Sequence, residues 1–165
     1  MNLSVTRLDR GYLLQATTSL ARPPAEVFEF FGDARNLEAL TPPFLHFEIL
    51  TPDPITMGAG TLIDYRLRLH GLRVRWRTQI TAWEPPRRFV DTQVRGPYRW
   101  WIHEHTFVER EGGTEMTDRV RYGVPGGRLV HRLFVERDLR RIWDYRAARI
   151  AELLGGGPSI PPSAR

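Results

Sequence analysis

The 165-residue sequence contains no cysteine. That absence excludes disulfides, a thiolate metal site and a cysteine nucleophile. Lysine is missing too, since all 24 basic residues are arginine. Schiff-base chemistry and a P-loop lysine are thereby excluded. No apolar run approaches the roughly 18 residues of a membrane-spanning helix. Met1 to Gly11 has no apolar segment of the secretory-signal kind. A cytoplasmic location follows as the default expectation. There is no internal repeat and no nucleophile elbow for a Ser-His-Asp set.

What the chain does contain is apolar and aromatic: 41% hydrophobic residues, with five Trp and eight Phe. At 19.2 kDa it can build one core, or one core with a cavity. Residues 1–157 read as a single domain, and residues 158–165, after a run of glycines, as a disordered tail. The formal net charge is +5, with a pI near 10.4. The arginines are spread along the whole chain among 19 acidic residues. Nucleic acid is therefore not expected as a partner, while weak peripheral contact with an anionic membrane surface stays open. The oligomeric state is not legible.

Periodicity predicts the order of elements. Tyr12 to Leu20 reads as a strand. Pro23-Pro24 then opens a helix over Ala25 to Phe31, because proline is tolerated in a first helical turn. A second short helix is expected over Ala34 to Leu40, with Asp33 as its cap. Phe47 to Leu50 reads as a short strand and Thr51 to Gly60 as a loop. Strands follow at Thr61–Leu69, Leu72–Trp83, Arg88–Val94, Arg99–Val108 and Thr114–Val124. Arg128 to Leu154 reads as one amphipathic helix, with Val135, Leu139, Ile142, Trp143, Ile150 and Leu153 on its apolar stripe.

One turn predicts a register. His70-Gly71 fits a two-residue hairpin turn. It sets Ile63, Tyr65, Leu67 and Leu69 against Thr78, Trp76, Val74 and Leu72. On the other face Arg66 and Arg68 meet Arg75 and Arg73, and Asp64 meets Arg77. Like charges directly opposite destabilise a sheet, so nearby acids or an anionic partner should offset them. Local acids are the favoured compensation.

Several segments carry a resemblance. They are Pro-Pro-Ala-Glu-Val-Phe-Glu-Phe-Phe leading into the first helix, Leu40-Thr41-Pro42-Pro43, Gly60-Thr61, the Trp83 to Phe89 turn and the amphipathic last helix. Over roughly Tyr12 to Leu154 the chain resembles the helix-grip superfamily that includes START lipid-transfer domains, pollen-allergen-like proteins and polyketide cyclase/dehydrases (SRPBCC). More narrowly it is similar to short bacterial members sharing Phe89, Asp91, Gln93, Gly96 to Tyr98 and the Trp101 to Phe107 pattern. The resemblance implies an α+β helix-grip fold. Its curved antiparallel seven-stranded sheet would wrap a long C-terminal helix, with two short helices after the first strand. It implies a hydrophobic or amphipathic small molecule of lipid, polyketide or isoprenoid-like kind in the cavity between sheet and helix. It implies no cofactor and no metal. It leaves open a cyclase/dehydratase-type enzyme, and it assigns no catalytic residue.

The site candidates lie around the strand that follows Gly96. Trp101, His103, His105 and Phe107 alternate, so they share one face. If that face is inward, the two imidazoles belong to a pocket or to a polar core cluster. Two histidines with Asp91 or Asp118 have the composition of a two-His-one-carboxylate metal set; a polar pocket floor is the preferred reading. Asp91, Asp118 and His103 also have the composition of an acid–base set. A register with Asp91 opposite His103, and His103 opposite Asp118, would make one inward rung beside Gln93 and His105. His103 would then stay charged to higher pH than a free histidine. Tyr65, Trp76, Trp101, Tyr122 and Trp143 are either cavity walls or plain core. Arg146, near the stripe of the last helix, either pairs with an acid inside or reaches out to solvent. A cavity of several hundred Å³ is expected, the usual scale of such pockets.

Overall fold

In the computed structural model, which describes residues 1–155, the strands are β1 Asn2–Arg7, β2 Tyr12–Leu20, β3 Glu48–Ile49, β4 Leu62–Leu69, β5 Leu72–Glu84, β6 Arg88–Arg95, β7 Trp100–Arg110 and β8 Gly113–Gly123. Helices α1 Pro24–Gly32 and α2 Asn36–Ala39 and a 3₁₀ turn Pro43–Leu45 follow β2. At the end of the chain α3 Gly127–Val130 passes through a π-helical segment, His131–Val135, into α4 Glu136–Leu154. The expected tail lies outside the described residues.

The strands form one antiparallel sheet in the order β1-β2-β8-β7-β6-β5-β4-β3. This is the α+β helix-grip architecture, with eight strands rather than seven. The additional strand is β1, which pairs with β2 from Asn2↔Thr17 to Arg7↔Tyr12. It is an edge strand with largely exposed side chains, but Leu3 and Val5 still pack against the core. Two ends of the interior are filled separately. One cluster centres on Trp76, Trp101, Tyr122, Leu139 and Trp143. The other joins Phe28 of α1 to Phe89, Phe107, Met116 and Ile150.

The β4–β5 hairpin has the expected register throughout, including Tyr65↔Trp76, Arg66↔Arg75 and Asp64↔Arg77. His70 and Gly71 take φ of 49° and 82°, the left-handed pair that a two-residue turn requires. On the outer face Arg66 pairs with Glu48 and Arg77 with Asp64. Local compensation therefore covers part of the arginine row. Among the described residues no ion pair is found for Arg68, Arg73 or Arg75, although Arg75 adds to the field that keeps the Asp64 carboxyl low, after the hydrogen bond from Arg77.

Two helical expectations need correcting. The second helix, α2 Asn36–Ala39, is shorter than the expected Ala34 to Leu40 and has no side-chain cap at its own first residue, while Asp33 accepts from the Arg35 backbone N–H and guanidinium in the turn that leads into it. On α4 the buried stripe is Leu139, Trp143, Arg146, Ile150 and Leu154, while Leu153 is exposed. The stripe advances by three or four residues at each step, so Arg146 falls on it as surely as its apolar neighbours do.

Candidate functional site

β7 places Trp101, His103, His105 and Phe107 on the inner face, each buried, and so meets the alternation expected of it. β6 lies beside it with Asp91 opposite His103, as expected. On the other side the register differs: His103 is opposite Val120, and His105 is opposite Asp118. The turn sits at Glu111-Gly112, between the pair Arg110↔Gly113, whereas pairing His103 with Asp118 would need it at Arg110-Glu111. Moving a two-residue turn by one position slides the partners by two and keeps every side chain on its face. Asp118 therefore still points inward but stands beside His105.

The result is a compact polar cluster in an apolar interior. His103 Nε2 donates to Asp118 Oδ1 at 3.0 Å, and His105 Nε2 donates to Asp91 Oδ2 at 3.2 Å. His105 Nδ1 lies 2.8 Å from Asp118 Oδ1, close but out of line for a hydrogen bond. His103 Nδ1 is 3.6 Å from Asp91 Oδ2. Thr78 Oγ1 donates to Asp91 Oδ1 at 3.3 Å. From α4, Arg146 Nε approaches Asp118 Oδ2 at 3.6 Å, so this arginine is held inside rather than reaching solvent.

The contacts favour one arrangement of protons. An ionised carboxylate only accepts. Both nitrogens of His105 lie closer to carboxylate oxygens, at 3.2 and 2.8 Å, than does Nδ1 of His103 at 3.6 Å, which favours the cationic form at His105. His103 needs hydrogen only on Nε2, and its Nδ1 keeps a lone pair. Two carboxylates are then balanced by His105 and Arg146, with His103 neutral. The pKa directions agree. Burial pushes the His105 pKa down, but Asp118 and Asp91 outweigh it and hold the ring charged to higher pH than usual. Burial, aided by the charge of His105, lowers that of His103. Burial raises Asp118, yet Arg146 and the imidazoles hold it well below the usual carboxylate range. The expectation that His103 would carry the charge is thus corrected. The slipped register brings His105, not His103, between two acids.

A cavity of about 190 Å³ lies over this cluster, between the sheet and α4. It is smaller than expected. The rings of Trp76, Trp101 and Tyr98 pack edge-on or tilted against one another, and Trp143 tilts against Trp101, filling space that smaller side chains would leave open. Tyr65, Trp76, Asp91, Trp101, His103, His105 and Trp143 line it. Three other candidates do not. Asp118 sits behind the imidazoles. The Gln93 amide closes the turn by donating to Tyr98 O at 2.9 Å and accepting from Tyr98 N. Tyr122 Oη hydrogen-bonds His131 Nε2 at 2.9 Å. Arg146 and Thr78 also line the cavity, and both were marked in the sequence, one by the helix stripe and the other by the hairpin register. Tyr98, Leu37 and Met57 join from turns and short helices, where no periodicity marks an inward face.

Fold and cavity together define a class, and residues 13–155 match the family described as polyketide cyclase/dehydrase and lipid transport. The chain belongs to that family, which implies a small hydrophobic ligand. No curated protein matches it. Among solved structures it is similar to protein CV1439 from Chromobacterium violaceum, with a TM-score of 0.68 at 15% identity over 88% of this chain and 98% of the other. Protein Ms6760 from Mycobacterium smegmatis gives 0.65 at 21% identity over 92% and 98%. Ginseng major latex-like protein 151 from Panax ginseng gives 0.61 at 11% identity over 88% and 97%. These likenesses establish the fold. No helix of the described residues is long and apolar enough to cross a membrane.

Proposed function

We propose that this protein is a cytoplasmic carrier or sensor for a compact amphipathic molecule, its apolar part among the tryptophans and its polar end at Asp91, His103 and His105. One observation carries the reading: the cavity walls are apolar and aromatic, while its floor holds Asp91, His105 and His103, the last with a free lone pair on Nδ1. Trp76 and Trp143 add to it, since each has a buried indole N–H without a protein partner. A buried donor without a partner is costly, and a ligand oxygen would supply one. The size favours a ligand of one or two rings within the broader lipid, polyketide or isoprenoid range, because a cavity of about 150 Å³ already holds a benzene.

The test is native mass spectrometry of the protein as expressed, followed by titration with phenol, naphthol and a cyclic ketone monitored by tryptophan fluorescence. Release of an intact small molecule and saturable quenching support the carrier. Absence of both overturns it. A second reading, a cyclase/dehydratase-type enzyme, is favoured by His103 alone. A neutral imidazole facing the cavity beside a cationic His105 is an acid–base pair in the making. Turnover of the captured molecule on incubation would select that reading.

A further inference from the structure

We propose that Asp91, His103 and His105 form a binding site for one divalent transition-metal ion, with Zn²⁺ the best match. The inference concerns the floor of the same cavity but does not depend on the organic ligand proposed above. Each of the three residues offers one donor atom, and these atoms lie within 4.8 Å of one another. Asp91 Oδ2 is 3.2 Å from His105 Nε2 and 3.6 Å from His103 Nδ1. Donors bound to zinc at about 2.1 Å on a tetrahedron lie about 3.4 Å apart. Two edges of a tetrahedral face are therefore already at ligating length, and the third, between the two imidazoles, lies within 4.8 Å.

The surroundings fit a metal as well. Histidine ligands are ordinarily oriented by a carboxylate at the other ring nitrogen. Here a single oxygen, Asp118 Oδ1, bonds His103 Nε2 at 3.0 Å and stands 2.8 Å from His105 Nδ1, out of line until that ring turns. Arg146 in turn braces Asp118. The three donors line the cavity and Asp118 does not, so the fourth corner of the tetrahedron opens on the cavity, where water or a ligand oxygen would sit. The cluster is also incompletely satisfied on its own: His105 Nδ1 and Arg146 Nε are buried without an aligned hydrogen bond. Buried polar atoms in that condition call for a cause, and an ion that turns the His105 ring toward itself is one. Nitrogen and oxygen donors without sulfur suit zinc or ferrous iron rather than a soft ion. On binding, the ion replaces the hydrogen of His105 Nε2, which leaves to solvent.

The experiment is isothermal titration of the chelator-treated full chain with Zn²⁺, with metal content of the untreated protein measured in parallel. One ion per chain is expected. The His105→Gln and Asp91→Asn variants should each lose it, with circular dichroism confirming that they fold. Asp118→Asn should weaken binding by roughly 10–100-fold, the usual effect of removing an orienting partner. His70→Ala, an exposed histidine far along the sequence, should bind as the parent does. Failure to bind Zn²⁺ or Fe²⁺, or one-to-one binding that survives in both His105→Gln and Asp91→Asn, overturns the site. Small-molecule capture without metal overturns this inference alone, and metal binding without capture overturns only the carrier.

Discussion

Arg146 on α4 and Asp118 on β8 are joined across the interior, Nε to Oδ2 at 3.6 Å, with both side chains buried. The contact ties the long helix to the sheet at the level of the histidine cluster. It also supplies one of the two cations that balance the paired carboxylates. Removing one partner of a buried pair leaves the other charge uncompensated. Arg146→Met keeps most of the volume and removes the charge. It should destabilise the fold by about 3 kcal/mol, the low end of the usual range, because His103 and His105 still face Asp118. Urea denaturation reads this directly. The double variant with Asp118→Asn should recover part of the loss, since no uncompensated charge then remains at Asp118. A double variant less stable than Arg146→Met would contradict the pairing.

The two indole N–H groups make a separable claim about binding. Trp143→Phe keeps an aromatic wall and removes one unpartnered donor. Its stability should change by about 1 kcal/mol or less if loss of ring volume and relief of the buried N–H offset each other. Its affinity for naphthol should fall several-fold, as should that of Trp76→Phe. Calorimetric titration of parent and variants decides it. Unchanged affinity in both would mean that the indoles only pack.

Much of this arrangement was legible because strand alternation and turn chemistry are local. His70-Gly71 fixed the β4–β5 partners pair by pair, since the turn could sit nowhere else between two alternating runs. The turn before β8 allowed Arg110-Glu111 or Glu111-Gly112; glycine in second position marks the latter, as at His70-Gly71, and that placement slides the partners of His103 by two from those expected. The inward face survived because a slip of two preserves parity. β1 was missed because an exposed edge strand with only Leu3 and Val5 as apolar markers carries little pattern. The cavity's size depends on how tryptophan rings meet across the interior, which no spacing along the chain encodes.

Glycine separates conformational strain from contact. Gly71 has φ +82°, and a Cβ there would meet nothing within 4 Å. Gly11 has φ +80°, but its Cβ would lie 2.2 Å from Tyr122 O and 2.6 Å from the Trp100 ring. Gly71→Ala should cost about 1–2 kcal/mol, the left-handed penalty alone. Gly11→Ala should cost clearly more, because a backbone carbonyl must move and with it the Tyr12↔Tyr122 pairing. Thermal melts of the two variants rank them. Equal losses would show that the β1–β2 turn yields freely.

Away from the cluster, His131 gives the protein an acid-sensitive anchor. It lies in the π segment, stacks on Tyr12 with ring centres 3.4 Å apart and bonds Tyr122 Oη. Burial lowers its pKa from the ordinary 6.5, and the Glu136 carboxylate at 3.9 Å only partly opposes this. The unfolded chain therefore takes up the proton more readily than the folded one. Stability rises with pH wherever the unfolded state binds more protons. The contribution of His131 is thus complete above the ordinary value near 6.5 and is lost as the pH falls toward and through the lowered one. His105, whose pKa is raised, acts in the opposite sense, so the parent's pH profile alone does not isolate His131. The difference between the parent and His131→Gln does. The amide can keep the Tyr122 bond and does not titrate. Plotted against pH from neutral to mildly acidic, the melting temperature of the parent should fall relative to that of the variant. A constant difference across the range would mean that His131 is protonated equally in both states, and that its burial does not act on its charge.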